Sequence, residues 1–373
     1  MTERIHHVET PEALHELARS LEGAPLIGVD TESDSLHCYF EKVCYLQIEC
    51  EGEIFLVDTI RLRDLAPLRP VFADPETLKI LHGADYDVLC LSRDFDLRFD
   101  GLFDTMVAAQ FVGRTSLGLA ALCEEFFGVR MDKSLTRHNW ALRPLEEKYL
   151  EYMAADVRHL ADLEEILDRE LEEADLLEEY EAECDWLTTQ VWVDRPFDDE
   201  GWRRIKGARD LPPASRPALK ALFLLRDRIA RQRDLPAYKV MNNEFLLAVA
   251  RDLPRTAREL GRDRRWAKTV ARHGADILEA LRAARDGEIE IPRRAPPEPD
   301  AEEKRELAEE LRRWRAKAAK RENLASVVVM PKHAMVDIVE RRPRTRDELA
   351  AIPYITGRRV EKYGDEILAL LDH

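Results

Sequence analysis

One segment of this chain occurs twice. Leu235 recurs as Leu324, Met241 as Met330, Pro254-Arg-Thr256 as Pro343-Arg-Thr345 and Glu259-Leu260 as Glu348-Leu349, all at an offset of 89. With one residue inserted, Ile277-Leu278 recurs as Ile367-Leu368. An offset held across a whole segment marks a duplication. Two copies of one small fold therefore fill the C-terminal part of the chain, and the residues before them must build a core of their own. Apolar spacing predicts helices over 219–231, 243–250, 256–260 and 271–285 in the first copy, and the second copy reads as helical to its end. Prolines punctuate both boundaries: Pro212-Pro213 and Pro217 within 198–217, and the run Pro292-Arg-Arg-Ala-Pro-Pro-Glu-Pro299. The domain organisation expected is 1–197, 212–290 and 300–373.

Charge separates the same parts. The chain has 373 residues and a net charge of −17. Residues 1–199 carry 18 Lys and Arg against 45 Asp and Glu. Residues 200–290 carry 21 against 13, and residues 291–373 carry 18 against 16. An acidic N-terminal half repels a polyanion unless cations offset it locally. The basic middle segment is the better place for phosphate contacts, with an Arg-rich solvated helix face as its ordinary alternative. No apolar run approaches the ~20 residues needed to span a bilayer. The N-terminus, Met-Thr-Glu-Arg-Ile-His-His, lacks the apolar core of a signal peptide, so a cytoplasmic location and no membrane partner are expected. The six cysteines (38, 44, 50, 90, 123 and 184) form no Cys-x-x-Cys pair. They fit a reducing compartment as small core or surface residues, not a zinc site.

The N-terminal part alternates between strand and helix signals. Thr10-Pro11-Glu12 is a helix start with a cap, a proline in the first turn and an acid. The apolar run Pro25-Leu-Ile-Gly-Val29 reads as a buried strand. Residues 43–48 and 54–57 read as two strands joined at Glu51-Gly52, a hairpin. A short helix over 65–72, a strand over 78–82, a helix over 85–93, a strand or turn over 102–104 and helices over 105–111, 116–127 and 145–183 follow. This order predicts an α/β domain with a mixed sheet.

Acidic residues sit where these elements end. Asp30-Thr31-Glu32 closes the first buried strand, and a spacing of two puts Asp30 and Glu32 on one face. Paired carboxylates repel unless a hard divalent cation lies between them. Asp87 opens a helix after His82-Gly83. Tyr152 and Asp156 are four apart, one turn above the other on a helix. Singly, each has an ordinary role: solvated loop acid, helix N-terminal acid, surface acid, core aromatic.

Together, in this order, they resemble the DEDD exonuclease superfamily in its tyrosine-containing branch, and more narrowly the ribonuclease D family. Asp30-Thr-Glu-Ser-Asp-Ser-Leu36, His82-Gly-Ala-Asp-Tyr-Asp87 and Tyr152-x-x-x-Asp156 match its three motifs. The other branch carries His five residues before the last Asp, where this chain has Glu151. The duplicated segments resemble the HRDC domain, and two such modules after a nuclease is the family's arrangement.

The resemblance implies a ribonuclease H-like exonuclease domain followed by two small all-α domains. It implies a 3′→5′ exoribonuclease that uses two divalent ions, Mg²⁺ or Mn²⁺, and releases nucleoside 5′-monophosphates. Asp30, Glu32, Asp87 and Asp156 would hold the ions, with Asp30 shared between them and Tyr152 orienting the attacking water. Thr31, Leu36, Lys133, Arg137 and Trp140 are expected at the substrate: Leu36 against the terminal nucleotide, Lys133 and Arg137 at phosphates, Trp140 stacked on a base. Core packing competes for Leu36 and Trp140, and His82 and His138 are read as structural. In the second copy, Gly357 opens a helix that could face a phosphate, with a plain helix–helix turn as the alternative. The expected partners are RNA 3′ ends, tRNA precursors among them. Two rival readings are a DNA exonuclease and a nucleic-acid-binding adaptor without catalysis; the intact set of acids and Tyr152 counts against the second.

Overall fold

A computed structural model describes residues 4–132, 134–194, 196–292 and 299–372. Lys133 and most of the proline run before Pro299 therefore lie outside the described residues. The sheet has six strands: β1 (Arg4–Val8), β2 (Leu26–Ser33), β3 (Val43–Cys50), β4 (Glu53–Asp58), β5 (Leu78–Leu81) and β6 (Leu102–Asp104), in the order β1-β4-β3-β2-β5-β6. β3 runs antiparallel to both neighbours, while β1 pairs with β4, β2 with β5 and β5 with β6 in parallel. Every residue of β3 is buried, as a strand covered on both faces must be. The β3–β4 connection is Glu51-Gly52, with φ of 51° and 84°. Two successive positive φ values make the tight turn whose twist suits a two-residue hairpin.

The predicted N-terminal helix is Pro11–Ser20, with the Thr10 hydroxyl accepting from the Ala13 N–H at 3.3 Å and Leu14, Leu17 and Ala18 buried. Strand β1 escaped the sequence reading because its residues, Arg-Ile-His-His-Val, carry no strong strand pattern. Its place comes from its neighbour. His6 meets Glu53 at 2.6 Å and stacks on Phe55 at 4.9 Å. The single long helix expected over 145–183 is three helices, Glu147–Val157, Leu160–Glu173 and Leu177–Thr188. The last break passes through Asp175 at φ 55°, a left-handed value that ends a helix. The helix expected over 116–127 begins later, at Leu119.

The chain divides into two compact units. One holds Met1–Ser33, Val43–Trp192 and Pro297–His373; the other holds Asp34–Lys42 and Val193–Pro296. The second unit packs helices Arg216–Arg233, Asn243–Asp252 and Ala267–Arg285 around Leu222, Ile229, Phe245, Ile277 and Leu281. The stretch 198–217, expected to be a linker, is part of this core. Trp202, Ile205, Ala208 and Leu211 are buried in it, carried on short 3₁₀ turns. Prolines here shape the turns and do not mark a free connection.

The second copy folds around Leu311, Trp314, Ile338 and Ile367, and its Val328 enters the core of the sheet domain. The duplication has a physical signature at its caps. Thr256 accepts from the Glu259 N–H at 3.2 Å while Glu259 accepts from the Arg255 N–H at 2.8 Å. Thr345 and Glu348 repeat both bonds, at 3.1 and 2.6 Å, the second from the Arg344 N–H. These reciprocal bonds satisfy N–H groups that a helix start leaves open.

Candidate active site

The C-terminal half of β2 carries Asp30, Thr31 and Glu32 to the edge of the sheet, each of them part-exposed. Helix Glu147–Val157 lies across β2, β3 and β4, and brings Tyr152 and, in its last turn, Asp156 over the same face. The approach is close because residue 28 lacks a side chain. A Cβ there would meet the Val157 carbonyl oxygen at 3.3 Å and the Cβ atoms of Glu49 and Leu160 at 3.4 Å. Gly28→Ala is therefore expected to push this helix end outward, displace Asp156 from Asp30 and cut turnover by about ten-fold or more. Steady-state kinetics beside a thermal melt checks it, and wild-type kcat in a folded variant would refute it.

Asp87 stands in the first turn of helix Asp85–Phe95 and accepts a hydrogen bond from the Thr31 hydroxyl. Thr31, expected at the substrate, thus ties β2 to this helix. Asp104, 1% exposed, anchors the approach to the helix. Its carboxylate accepts from the N–H groups of Gly83 and Ala84 at 2.9 and 2.8 Å while capping helix Thr105–Phe111 through Met106 and Val107. Nothing in the motif pattern marked Asp104; a buried acid at a strand end before a helix was its only signal.

The acids hold one another's protons. Burial raises Asp30 well above the usual carboxylate range, and the charges of Asp87, Asp156 and Glu32 add to it. Burial, then Asp156 and Asp87, pushes Glu32 up to about 9. Burial brings Asp156 to about 7. Asp87 reaches about 7 because burial outweighs the Thr31 hydrogen bond that favours its charged form. The Tyr152 phenol is raised by burial and then by Asp156, Glu32 and Asp30, so it keeps its proton at neutral pH. All five groups therefore lie within one electrostatic neighbourhood.

Among the described residues, no three acidic, histidine or cysteine side chains stand close enough to grip an ion as they are. The chemistry of the set fits a hard divalent cation: carboxylate oxygens only, with protonation as the alternative to cation binding. His82 is not part of the set. Its Nδ1 lies 2.9 Å from the Thr105 hydroxyl and burial lowers it to about 4. His138 stacks on Tyr149 at 3.8 Å, a packing role.

One expected substrate contact falls elsewhere. Trp140 is 1% exposed, with its ring 5.6 Å from that of Tyr152 and 5.1 Å from His138. A ring so enclosed has no face for a base, so the stacking role is corrected: Trp140 is the floor on which Tyr152 rests. Arg137 is exposed on the segment before it, and Leu36 is 44% exposed on the 34–42 loop. Lys133 lies outside the described residues.

Two further residues were given no role by the sequence reading. Gln47 pairs directly with Asp30 across β3 and β2, is fully buried, and neither of its amide atoms has a hydrogen-bond partner among the described residues. Directly opposed residues of an antiparallel pair share a face, so a donor and an acceptor sit beside Asp30. A lone Gln inside an apolar strand was the available signal. Arg143 grips buried Asp58 with Nε to Oδ2 at 2.6 Å and Nη2 to Oδ1 at 2.8 Å. It also donates to the carbonyls of Trp140 at 2.6 Å and Cys44 at 3.0 Å.

Comparisons with known proteins agree with this arrangement. The family model described as 3′-5′ exonuclease matches residues 5–172, and the HRDC domain model matches 215–281 and 304–371. Fold and site thus define a 3′-5′ exonuclease followed by two HRDC domains. Ribonuclease D of Haemophilus influenzae is 31% identical over 275 residues, covering 73% of this chain and 69% of that protein. Ribonuclease D of Escherichia coli K12 is 31% identical over 294 residues, covering 78% of this chain and 77% of that protein. The chain belongs to the ribonuclease D family of 3′-5′ exoribonucleases. Its fold matches the crystal structure of Escherichia coli RNase D with a TM-score of 0.68 and 26% identity, over 100% of this chain and 99% of that one. It matches the catalytic core of RRP6 from Trypanosoma brucei with a TM-score of 0.70 and 26% identity, over 77% and 81% of the two chains. Members of the family depend on divalent metal and act on nucleic acid. No helix among the described residues is long and apolar enough to cross a membrane.

Proposed function

We propose that this chain trims RNA from the 3′ end, releasing nucleoside 5′-monophosphates one at a time, with structured precursors such as tRNA as substrates. The observation that carries the reading is the cluster of Asp30, Glu32, Asp87 and Asp156 with raised proton affinities, and the protonated Tyr152 beside them. The solved Escherichia coli relative is described as an exoribonuclease involved in structured RNA processing, which supports the substrate class.

The four carboxylates would hold two divalent ions, Mg²⁺ or Mn²⁺. Such ions supply Lewis-acid charge at the phosphate and make water nucleophilic near neutral pH. The chain's own residues do the rest. Thr31 fixes Asp87 against β2, and Gly28 lets Asp156 approach Asp30. Tyr152 would orient the attacking water with its hydroxyl. A phenol that keeps its proton is a positioning group and a poor base. Leu36 would meet the terminal nucleotide, and Arg137 and Lys133 upstream phosphates. The nuclease domain spans roughly the first half of the chain, and the two HRDC domains supply further contact with RNA.

The test compares RNA and DNA oligonucleotides of one sequence, each with a 3′ overhang, with and without Mg²⁺. Stepwise shortening of RNA from its 3′ end, only with metal, supports the reading. Equal degradation of DNA moves the function to a general exonuclease, and binding without cleavage of either makes the chain an adaptor. Tyr152→Phe is expected to lower kcat by about 10²-fold with little change in KM, the pattern of a group that acts in the transition state. An unchanged kcat removes Tyr152 from the reaction.

A further inference from the structure

The compact unit built on the sheet also contains the second HRDC domain. Within this unit, the first turns of helix Gly357–Leu371 and the turn between helices Leu160–Glu173 and Leu177–Thr188 line one cavity of about 230 Å³. The helix start is fixed locally: the Thr356 hydroxyl accepts from the Arg359 N–H at 3.3 Å. The Arg359 side chain turns inward and is 1% exposed. Its Nε donates to the Val328 carbonyl and its Nη1 to the Tyr354 carbonyl, both at 3.2 Å. Its Nη2 has no acceptor among the described residues. Glu179, 4% exposed, lines the same cavity, and its Oε2 has no donor among the described residues. The other oxygen of Glu179 lies 3.7 Å from Nε of Arg358, beyond hydrogen-bonding range.

A buried guanidinium N–H and a buried carboxylate oxygen are both costly to leave open, more so than neutral polar atoms. One of each on the wall of one cavity calls for a ligand that accepts and donates. A single water has that chemistry, but its share of liquid volume is about 30 Å³, a small part of this space. Other walls are apolar, supplied by Leu176, Leu324 and Val328. Two part-exposed cations also line the cavity, each held in place: Arg358 by Asp175 at 2.8 Å and Lys362 by Glu322 at 2.9 Å. A flat body with acceptors beside donors on its edge, and an anion at its far end, matches this set. A guanine nucleotide has that form. Its O6 and N7 accept, its N1–H and exocyclic amine donate, and its phosphate suits Arg358 and Lys362. Adenine offers a carboxylate one donor group, where guanine offers two adjacent ones.

We propose that this cavity is a guanine site, in which the Arg359 guanidinium donates to O6 or N7 and the Glu179 carboxylate accepts from N1–H and the exocyclic amine. The guanine comes from a single-stranded RNA or from free guanosine 5′-monophosphate. Asp30, Glu32, Asp87, Asp156 and Tyr152 are not among the residues that line it. The inference therefore goes beyond the exoribonuclease reading and stands or falls separately from it.

The experiment uses the full chain freed of divalent metal, so that binding is read without cleavage, and measures affinity by titration calorimetry. One set of probes is free: the 5′-monophosphates of guanosine, adenosine and inosine. The other is chain-borne: an oligoadenylate with one internal guanosine, adenosine or inosine. Inosine keeps O6, N7 and N1–H and lacks only the exocyclic amine. In at least one set, guanosine is expected to bind about ten-fold or more tighter than either rival, the scale of one hydrogen bond to a charged group. Glu179→Gln is expected to erase the gap between guanosine and inosine, a ratio that a purely structural role for Glu179 does not move. Ala174→Trp fills the cavity from an exposed position on its wall and should abolish the same preference. It carries the test if thermal melts show that Glu179→Gln has unfolded. A preference among the free nucleotides names the mononucleotide as ligand, and one confined to the oligomers names RNA; either supports the site. If adenosine or inosine binds as tightly as guanosine in both sets, or if the preference survives both substitutions, the proposal is overturned and the cavity holds water.

Discussion

Asp30→Asn is expected to abolish metal-dependent hydrolysis and, in the same protein freed of metal, to raise the melting temperature. The loss of activity is expected to exceed about a thousand-fold, since a group that helps place the reaction's charge commonly accounts for that much alone. The gain in stability follows from the proton affinities. Asp30, Glu32, Asp87 and Asp156 all titrate higher in the folded chain than in an unfolded one. A carboxyl raised in this way leaves stability intact below its unfolded value near 4 and removes it as pH climbs through the folded value. The metal-free protein should therefore weaken steadily between pH 4 and the folded value of Glu32, about 9. An amide at residue 30 has no charge to bury or to set against Asp87, Asp156 and Glu32, so the penalty that raises Asp30 is gone, and the gain in melting temperature should grow as pH rises.

A divalent cation acts in the opposite sense. It replaces the missing positive charge, so Mg²⁺ or Mn²⁺ should stabilise wild type by mass action, more at pH 8 than at pH 6, where protons compete for the same oxygens. Asp30→Asn should lose most of that shift. Thermal melts with and without metal at the two pH values decide the matter. A metal-free variant that melts below wild type would falsify the electrostatic account even if activity were lost.

The parts of this site that the sequence displayed are those whose geometry is local. Asp30 and Glu32 share a face because strands repeat every two residues, and Tyr152 and Asp156 because helices return after about four. The cap Thr256 and its partner Glu259 announce a helix start at one glance, and their repetition at Thr345 and Glu348 announces a second module. What stayed hidden is tertiary. The loop after β2 is held by Asp227 and Asp234, whose spacing from Tyr39 carries no local rhythm. Strand β1 exists because Glu53 and Phe55 receive His6, a fact about β4 and not about β1. Trp140 was misplaced for a related reason. Residue type says that an indole will find a flat neighbour, and only packing says that the neighbour is Tyr152 and not a base.

Breaking the Arg143–Asp58 pair is expected to give the largest loss of stability of any single change near the site. Asp58 is fully buried, and Arg143 reaches both of its oxygens. Burial alone would raise the Asp58 carboxyl; the hydrogen bonds and charge of Arg143, with the N–H groups of Arg61 and Ile60, outweigh it and hold it below the usual range. Arg143→Met keeps much of the stem's packing but leaves that carboxylate only the half-exposed Arg61 guanidinium, 3.5 Å from Oδ2, a change expected to cost toward the lower end of the about 3–5 kcal/mol seen when a buried pair loses one member. A lowered carboxyl contributes stability above its unfolded value near 4 and loses it as pH falls through the folded value. The deficit of the variant is therefore largest at neutral pH and shrinks below pH 4, where Asp58 protonates. Adding Asp58→Asn to Arg143→Met should recover part of the loss, because the stranded charge is gone. Activity should fall for a separate reason. Arg143 also holds the Trp140 and Cys44 carbonyls, and Trp140 supports the ring of Tyr152. Losing that floor lets the Tyr152 hydroxyl wander, so kcat should drop while KM holds, and the double variant should recover stability without recovering kcat. Chemical denaturation at pH 7 and pH 3.5, with kinetics on the folded variants, separates the two effects. If Arg143→Met costs under about 1 kcal/mol, the exposed-pair range, and leaves kcat intact, the clamp neither stabilises the domain nor supports Tyr152.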